Sequence, residues 1–261
     1  MSKFCPLYSS SSGNSTYIGS SYGSILVDAG ASLKGITEAL NRAGSSIDEI
    51  KAIAVTHEHT DHIKSLSTLL KKHKIPLIAS KETAKALKSI GKIPDGTEII
   101  FADSDIEISG ISVHRFATSH DCVGSSGYTF TLPDGVKLGV CTDLGVITDE
   151  VRQALMGCTA LLIESNHDIE MLRRGPYPPE LKLRIMSDKG HLSNNACAVE
   201  LAEFLKGGTT RFILGHLSQH NNLPLVALSA ARAALTDADA EENKDYLLSV
   251  AKPQNNEVIY L

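Results

Sequence analysis

Ile53-Ala54-Val55-Thr56-His57-Glu58-His59-Thr60-Asp61-His62 is the stretch on which the reading of this chain turns. An apolar run, Ile53-Ala54-Val55, leads into six residues, 57–62, that hold three imidazoles and two carboxylates. A strand ending in this way sets several metal-ligating groups at one sheet edge. In extended backbone, residues two apart point to the same side, so His57 and His59 can grip one ion. Asp61 and His62 come where the chain turns into the next helix and can face a second ion. Nitrogen and carboxylate donors suit zinc, manganese or iron. The plainer reading is a polar loop with chance histidines, which the density of the cluster disfavours.

Around this stretch the pattern alternates between strand and helix. Thr16–Ile18 and Ser24–Val27 read as strands before it, with Asp28-Ala29-Gly30 closing the second. Leu33, Ile36 and Leu40 have helical spacing, and Gly44 is a stop. Lys51–Val55 is the strand that carries the cluster, and Ile63, Leu66, Leu69 and Leu70 line one face of an amphipathic helix after it. Ile75–Ala79 reads as a strand and Lys81–Ile90 as a helix. The middle is strand-rich: 99–101, 106–108, Ile111–Ala117, and Tyr128–Leu132 with Val136–Cys141 around the hairpin signal Pro133-Asp134-Gly135. Leu161–Ile163, Arg211–Leu214 and Glu257–Leu261 are further strands, and Asn195–Lys206 and Leu225–Leu235 further helices. Ser9–Ser12 with Gly13-Asn14-Ser15 reads as a loop. The expected class is α/β, with two stacked sheets and helices outside, across one domain spanning 1–261. Leu26-Val27-Asp28-Ala29-Gly30 and Val140-Cys141-Thr142-Asp143-Leu144-Gly145 echo each other as strand, Asp, then Gly.

Composition is that of a globular protein with a proper core: 42% hydrophobic and 21% charged residues. No run approaches the ~18 apolar residues of a membrane span, and Met1-Ser2-Lys3-Phe4-Cys5 lacks the apolar stretch of a signal peptide. The five cysteines (5, 122, 141, 158, 197) form no CxxC pair, which points to a reducing cytoplasm. The net charge of −5 does not advertise a polyanion binder, but it is unevenly spread. Eight lysines lie between Lys64 and Lys92 against one acid, Glu82, and five basic residues lie between Met171 and Leu192. Such asymmetry can form a basic face on an acidic protein; the plainer reading of the first cluster is a solvated helix face.

Two ions need more ligands than one loop supplies. His120 follows the strand Ile111–Ala117, Asp143 follows Val136–Cys141, and His216 follows Arg211–Leu214, each where a strand leaves the core. The HxHxDH pattern of His57, His59, Asp61 and His62 resembles the signature of the metallo-β-lactamase superfamily. That resemblance implies a four-layer αβ/βα sandwich and two divalent metal ions. It places His57, His59 and His120 on one ion, Asp61, His62 and His216 on the other, and Asp143 between them. It gives Asp28 the task of orienting a ligand histidine or closing a turn, not that of a ligand. Asp61 counts as a catalytic residue as well as a ligand. Cys141 and Cys122 lie near these residues in sequence and are read as packing groups.

A bridging Asp143 matches glyoxalase II and the nuclease branches. Gly190-His191-Leu192-Ser193-Asn194 resembles the histidine motif of the β-CASP nucleases, although the chain has no room for their inserted domain. Further stretches are Ser10–Ile18, Glu164-Ser165-Asn166-His167-Asp168, Gly175-Pro176-Tyr177-Pro178 and Leu214–Asn222. Taken together they resemble the YycJ/WalJ group of small bacterial proteins of this fold. The resemblance covers nearly the whole chain and implies a metal-dependent nuclease acting on DNA from the 5′ end. His191 then contacts the scissile phosphate or protonates the leaving oxygen. Asn14, Ser193, Asn194, Asn221 and Asn222 are candidate donors to phosphate oxygens. Ser193 or Asn194 also reads as an ordinary helix cap. The competing expectation is a glyoxalase-like hydrolase of a small thioester or lactone; a non-catalytic module would have lost ligands, and none is missing. Metal identity, DNA against RNA, and oligomeric state stay open at this point.

Overall fold

A computed structural model describes residues 1–255 and 257–261. Its strands are β1 (Lys3–Ser10), β2 (Gly13–Gly19), β3 (Ser24–Val27), β4 (Ile50–Ala54), β5 (Leu77–Ala79), β6 (Ile99–Phe101), β7 (Ile106–Ile108), β8 (Ile111–Ala117), β9 (Ser126–Thr131), β10 (Lys137–Cys141), β11 (Ala160–Glu164), β12 (Arg211–Gly215), β13 (Leu247–Val250) and β14 (Ile259–Tyr260). Its helices are α1 (Leu33–Arg42), α2 (Thr60–Ile63), α3 (Leu66–His73), α4 (Lys81–Ser89), α5 (Asp149–Leu155), α6 (Ile169–Arg174), α7 (Pro179–Ile185), α8 (Asn194–Lys206) and α9 (Pro224–Asp237). The strands form two seven-stranded sheets, ordered β14-β1-β2-β3-β4-β5-β6 and β13-β12-β11-β10-β9-β8-β7. In the first, β3 to β6 run parallel, and in the second β10 to β13 do so.

Alternation along the strands builds the layers. Ile25, Val27, Ala52 and Ala54 point between the sheets and meet Tyr128, Phe130, Leu138, Val140 and Leu162 there. Their neighbours Leu26, Ile53 and Val55 point outward to Ile36, Leu40, Leu66 and Leu69 of the helices. On the far side Leu161, Ile163, Phe212 and Leu214 pack on Val151, Leu155, Leu201, Phe204 and Leu235. Strands covered on both faces are near-continuous apolar runs, which is why Ala52–Ala54 of β4 and Ala160–Ile163 of β11 do not alternate. The Tyr128 hydroxyl donates to Val55 O across the two sheets at 2.8 Å. This is the expected α/β four-layer αβ/βα sandwich.

Two local expectations are corrected. Ser9–Ser15 is not a loop: β1 and β2 form a hairpin with only Ser11 and Ser12 at its turn. The Asn14 side chain makes this possible by accepting from Ser10 N at 3.1 Å and donating to Ser10 O at 3.0 Å. The helix expected through 63–70 is broken into α2 and α3. Ala29 enters its hydrogen-bond ladder: Ala29 N donates to His62 O, and Ser65 N donates to Ala29 O. The break fixes the β3 end beside His62.

Candidate metal centre

The expected ligands converge where strands of both sheets end. His57, His59 and His120 offer ligand atoms within 4.8 Å of one another, and so do Asp61, His62 and His216, and His57, His62 and Asp143. Ligand sites outside the carboxyl ends of parallel strands are the general rule for such sheets. Three residues just past strand ends, Asp28, Asp143 and His216, have φ of 62°, 60° and 54°. This left-handed turn costs a non-glycine residue of order 1–3 kcal/mol, and here it aims each side chain into the cluster. The Asp-to-Gly echo is real in space. A Cβ on Gly30 would stand 1.6 Å from Asp61 O, and one on Gly145 would stand 2.3 Å from Ser187 O. Each glycine lets the next loop close on its Asp turn.

Hydrogen bonding assigns the imidazole tautomers. Asp28 accepts from Thr56 N and Thr56 Oγ1, each at 2.8 Å, so the Thr56 proton is committed. Thr56 Oγ1 therefore accepts from His57 Nδ1 at 3.0 Å. Asp28 Oδ2 also accepts from His62 Nδ1 at 2.8 Å. His120 Nδ1 donates to Gly190 O at 3.1 Å, and His216 Nδ1 donates to Glu164 Oε1 at 2.7 Å. Each of these rings then turns its Nε2 inward, the nitrogen left for a cation. His57 Nε2 lies 3.0 Å from His59 Nδ1, and His62 Nε2 lies 3.2 Å from Asp143 Oδ2. The Nε2 atoms of His120 and His216 are buried with no hydrogen-bond partner among the described residues. Buried polar atoms are seldom left unsatisfied. Converging ring nitrogens and carboxylates, two of the nitrogens orphaned, fit divalent cations.

Charges answer to the same arrangement. Burial disfavours the charged form of Asp143, yet His216 and His62 hold its carboxyl well below the usual carboxylate range. Burial pushes His57 well below the ordinary histidine range, the neutral state a ligand needs; at His62 and His216 burial acts the same way, but Asp143 and the other neighbouring carboxylates outweigh it and raise both rings, His216 to about 10, so a cation bound there would displace a proton. Burial also raises the Cys141 thiol well above its normal range and takes Cys122 up to about 12, so neither offers a thiolate.

Glu164 was missed as a site residue. Wholly buried at the end of β11, it accepts from Leu144 N at 3.0 Å and Leu192 N at 3.1 Å through Oε2. Its Oε1 accepts from His216 Nδ1 and, at 2.9 Å, from His191 Nδ1. Burial opposes its charge, but His191 and His216 outweigh that and hold the carboxyl at about 2. His191 stands beside the cluster, its ring centroid 5.1 Å from that of His120. Asp121 was also missed; its Oδ1 is 3.4 Å from His120 Nε2 and its other oxygen pairs with Arg184. Its signal was adjacency to a ligand.

The expected phosphate donors do not converge. Asn14 reaches the cluster as a neighbour of ligands, with Nδ2 3.0 Å from His62 Nε2 and 3.3 Å from Asp61 Oδ2. Ser193 caps α8, accepting from Ala196 N. Asn194 and Asn222 are buried in a reciprocal amide pair, both bonds 2.9 Å, which also ties down Ser165 and Asn166. Asn221 is buried and bonded to Ser218. These four hold the loops at the site together rather than face a substrate.

Asp28→Asn tests the support beneath His62. Asparagine tolerates the left-handed turn but cannot accept all three bonds. Metal affinity, read by chelator competition, is expected to fall about 10–100-fold with the fold retained. Unchanged affinity would remove Asp28 from any role in positioning His62.

Comparison with known proteins agrees with this geometry. The beta-lactamase superfamily domain matches residues 24–217. The chain is 38% identical over 236 residues to the exodeoxyribonuclease YycJ of Bacillus anthracis, covering 90% of this chain and 89% of that one. It is 36% identical over 255 residues to the exodeoxyribonuclease WalJ of Streptococcus pneumoniae serotype 2, covering 96% and 94%. Among solved structures, the metallo-beta-lactamase fold protein YhfI of Bacillus subtilis superposes with a TM-score of 0.71 at 14% identity, covering 99% and 98%. Zinc-bound PqqB of Methylobacterium extorquens gives 0.71 at 16%, covering 99% and 100%.

Proposed function

The chain belongs to the metallo-β-lactamase superfamily, in the group of the YycJ and WalJ exodeoxyribonucleases, and from that premise we propose that it is a dinuclear metal-dependent exonuclease that hydrolyses DNA phosphodiesters from the 5′ end. The observation that carries the metal requirement is the set of inward-facing imidazole nitrogens, two of them orphaned. His57, His59 and His120 would hold one ion, Asp61, His62 and His216 the other, with Asp143 between. Imidazole and carboxylate donors are shared chemistry for zinc, manganese and iron. When bound, two divalent cations supply Lewis-acid charge and a hydrolytic nucleophile at neutral pH.

The protein's own residues supply position and a proton. Breaking the P–O bond leaves an alkoxide that needs a proton. Glu164 Oε1 holds Nδ1–H of His191, so a second proton on that ring sits at Nε2. The half-buried ring stands at the edge of the cluster, where Nε2 can donate to the leaving oxygen. Asn14 steadies the Asp61 carboxylate.

The basic clusters contribute unevenly. Arg173 and Arg174 are paired with Glu170, and Lys182 Nζ donates to Arg173 O. Arg184 is held on Asp121, which stands beside His120, and Lys64 follows His62 by two residues. The reading is tested on end-labelled single- and double-stranded DNA and RNA, with zinc, manganese and iron in turn. Stepwise release from the 5′ end of DNA is expected. Replacing Lys64 and Arg184 together is expected to reduce the slope of log affinity against log salt by about two units. Efficient hydrolysis of thioesters with intact polynucleotides would instead install the glyoxalase-like reading.

A further inference from the structure

Outside the cluster, one pair of rings has no evident duty in the fold. Tyr177 and His220 meet edge to face, with centroids 5.8 Å apart and planes at 71°. His220 is exposed and Tyr177 half-buried. Neither ring makes a hydrogen bond among the described residues.

Both segments are anchored at the site. His220 lies four residues beyond His216, and four residues span at most about 14 Å. Its turn is tied down: Asn221 N donates to Ser218 Oγ, and Asp168 N donates to Asn221 O. Tyr177 sits between Pro176 and Pro178, on the stretch of chain that joins Glu164 to His191. A residue before proline is held extended, and Pro178 itself has φ −57° and ψ 149°. Tyr177 is thus fixed at the start of α7. The two segments touch at Gly175, where a Cβ would fall 2.4 Å from Asn221 Oδ1. Rings prepositioned in this way lose little freedom when they bind a third ring. An edge-to-face pair uses one face and one edge, so each ring keeps a face for another aromatic group.

We infer that Tyr177 and His220 form a stacking platform for a nucleobase of the strand whose phosphate lies at the ligand cluster. The inference rests on the nuclease reading above. Phosphate chemistry reads no base, so such a platform would position the polymer without selecting its sequence.

The test uses the metal-loaded protein and two single-stranded oligodeoxynucleotides. One carries all its bases, and the other has abasic tetrahydrofuran residues at its two terminal positions. Tyr177→Ala with His220→Ala is expected to lower kcat/KM on the base-bearing strand by roughly 5- to 150-fold, mainly through KM. The abasic strand should be cut by variant and parent at nearly the same rate. Tyr177→Phe, which keeps the ring, should restore most of the loss. Metal content and Tm of the double variant should match the parent. An equal loss on both strands would make the pair a brace for the loop, and no loss on either would leave it without a part in binding; each overturns the platform. A parent that cuts both strands with the same KM overturns the platform alone. A parent that cuts neither takes the nuclease reading down with it.

Discussion

Asp143→Asn is expected to lower kcat by three orders of magnitude or more, roughly the loss of ~4 kcal/mol of transition-state stabilisation, and to cost at least one equivalent of bound metal. Asp143 stands 3.2 Å from His62 Nε2 and 3.5 Å from His216 Nδ1, and shares a ligand group with His57. Its carboxylate is the negative charge placed between the two ligand sets. Two dications about 4 Å apart without it repel by roughly 15 kcal/mol even at an effective dielectric near 20. Asparagine is a better replacement than alanine, because residue 143 has φ 60° and asparagine is among the few residues that accept that turn. Alanine would mix backbone strain with the lost charge. Metal content by elemental analysis separates the two effects, and Tm of the metal-free variant reports folding. A variant that keeps both ions and most of its turnover would show that Asp143 does not join the two sets.

Much of this centre was legible in the sequence because its signals are local. HxHxDH packs four donors into six residues, and period two alone puts His57 and His59 on one side. His120, Asp143 and His216 each follow a strand, and a polar residue just past a strand marks a sheet edge. Glu164 carries the same mark, since Leu161-Leu162-Ile163 runs straight into it. Its partners are not legible, because the histidine beside it in sequence, His167, is not the one it holds; His191 and His216 are 27 and 52 residues away.

What was not legible depends on contacts distant in sequence. Asn194 and Asn222 look like phosphate donors because their amides are free on paper. Only the fold shows them joined to each other across 28 residues. The spacing of Ile63, Leu66, Leu69 and Leu70 suits a continuous helix through 63–70, and the helix breaks because Ala29 claims the His62 carbonyl. The strand β1 was hidden by Pro6, beside which its register with β2 shifts. In α5, by contrast, a local signal was overlooked: Thr148 caps it by accepting from Val151 N, with Asp149 and Glu150 in its first turn.

The second large effect is expected at His191. Its ring lies within 4.8 Å of ligand atoms of Asp143, Glu164 and His216, but its Nδ1 is committed to Glu164 and the two proposed ligand sets are complete without it. His191→Ala should therefore keep both ions while kcat on DNA falls about 10²–10⁴-fold, the range for loss of a general acid. The leaving group gives a sharper reading. A nucleotide p-nitrophenyl ester expels a phenolate that departs without a proton, so on that substrate the same variant should lose far less. Glu164→Gln should follow His191→Ala on DNA but also weaken metal binding, because Glu164 orients the ligand His216 through the same oxygen. Three outcomes would each revise the assignment. Loss of an ion from His191→Ala would make His191 a ligand. An equal fall on both substrates would make it a phosphate contact rather than a proton donor. An unchanged rate on DNA would return it to a loop residue before α8, and the proton for the leaving oxygen would have to come from water or from a group at the Asp121–Arg184 edge of the cluster.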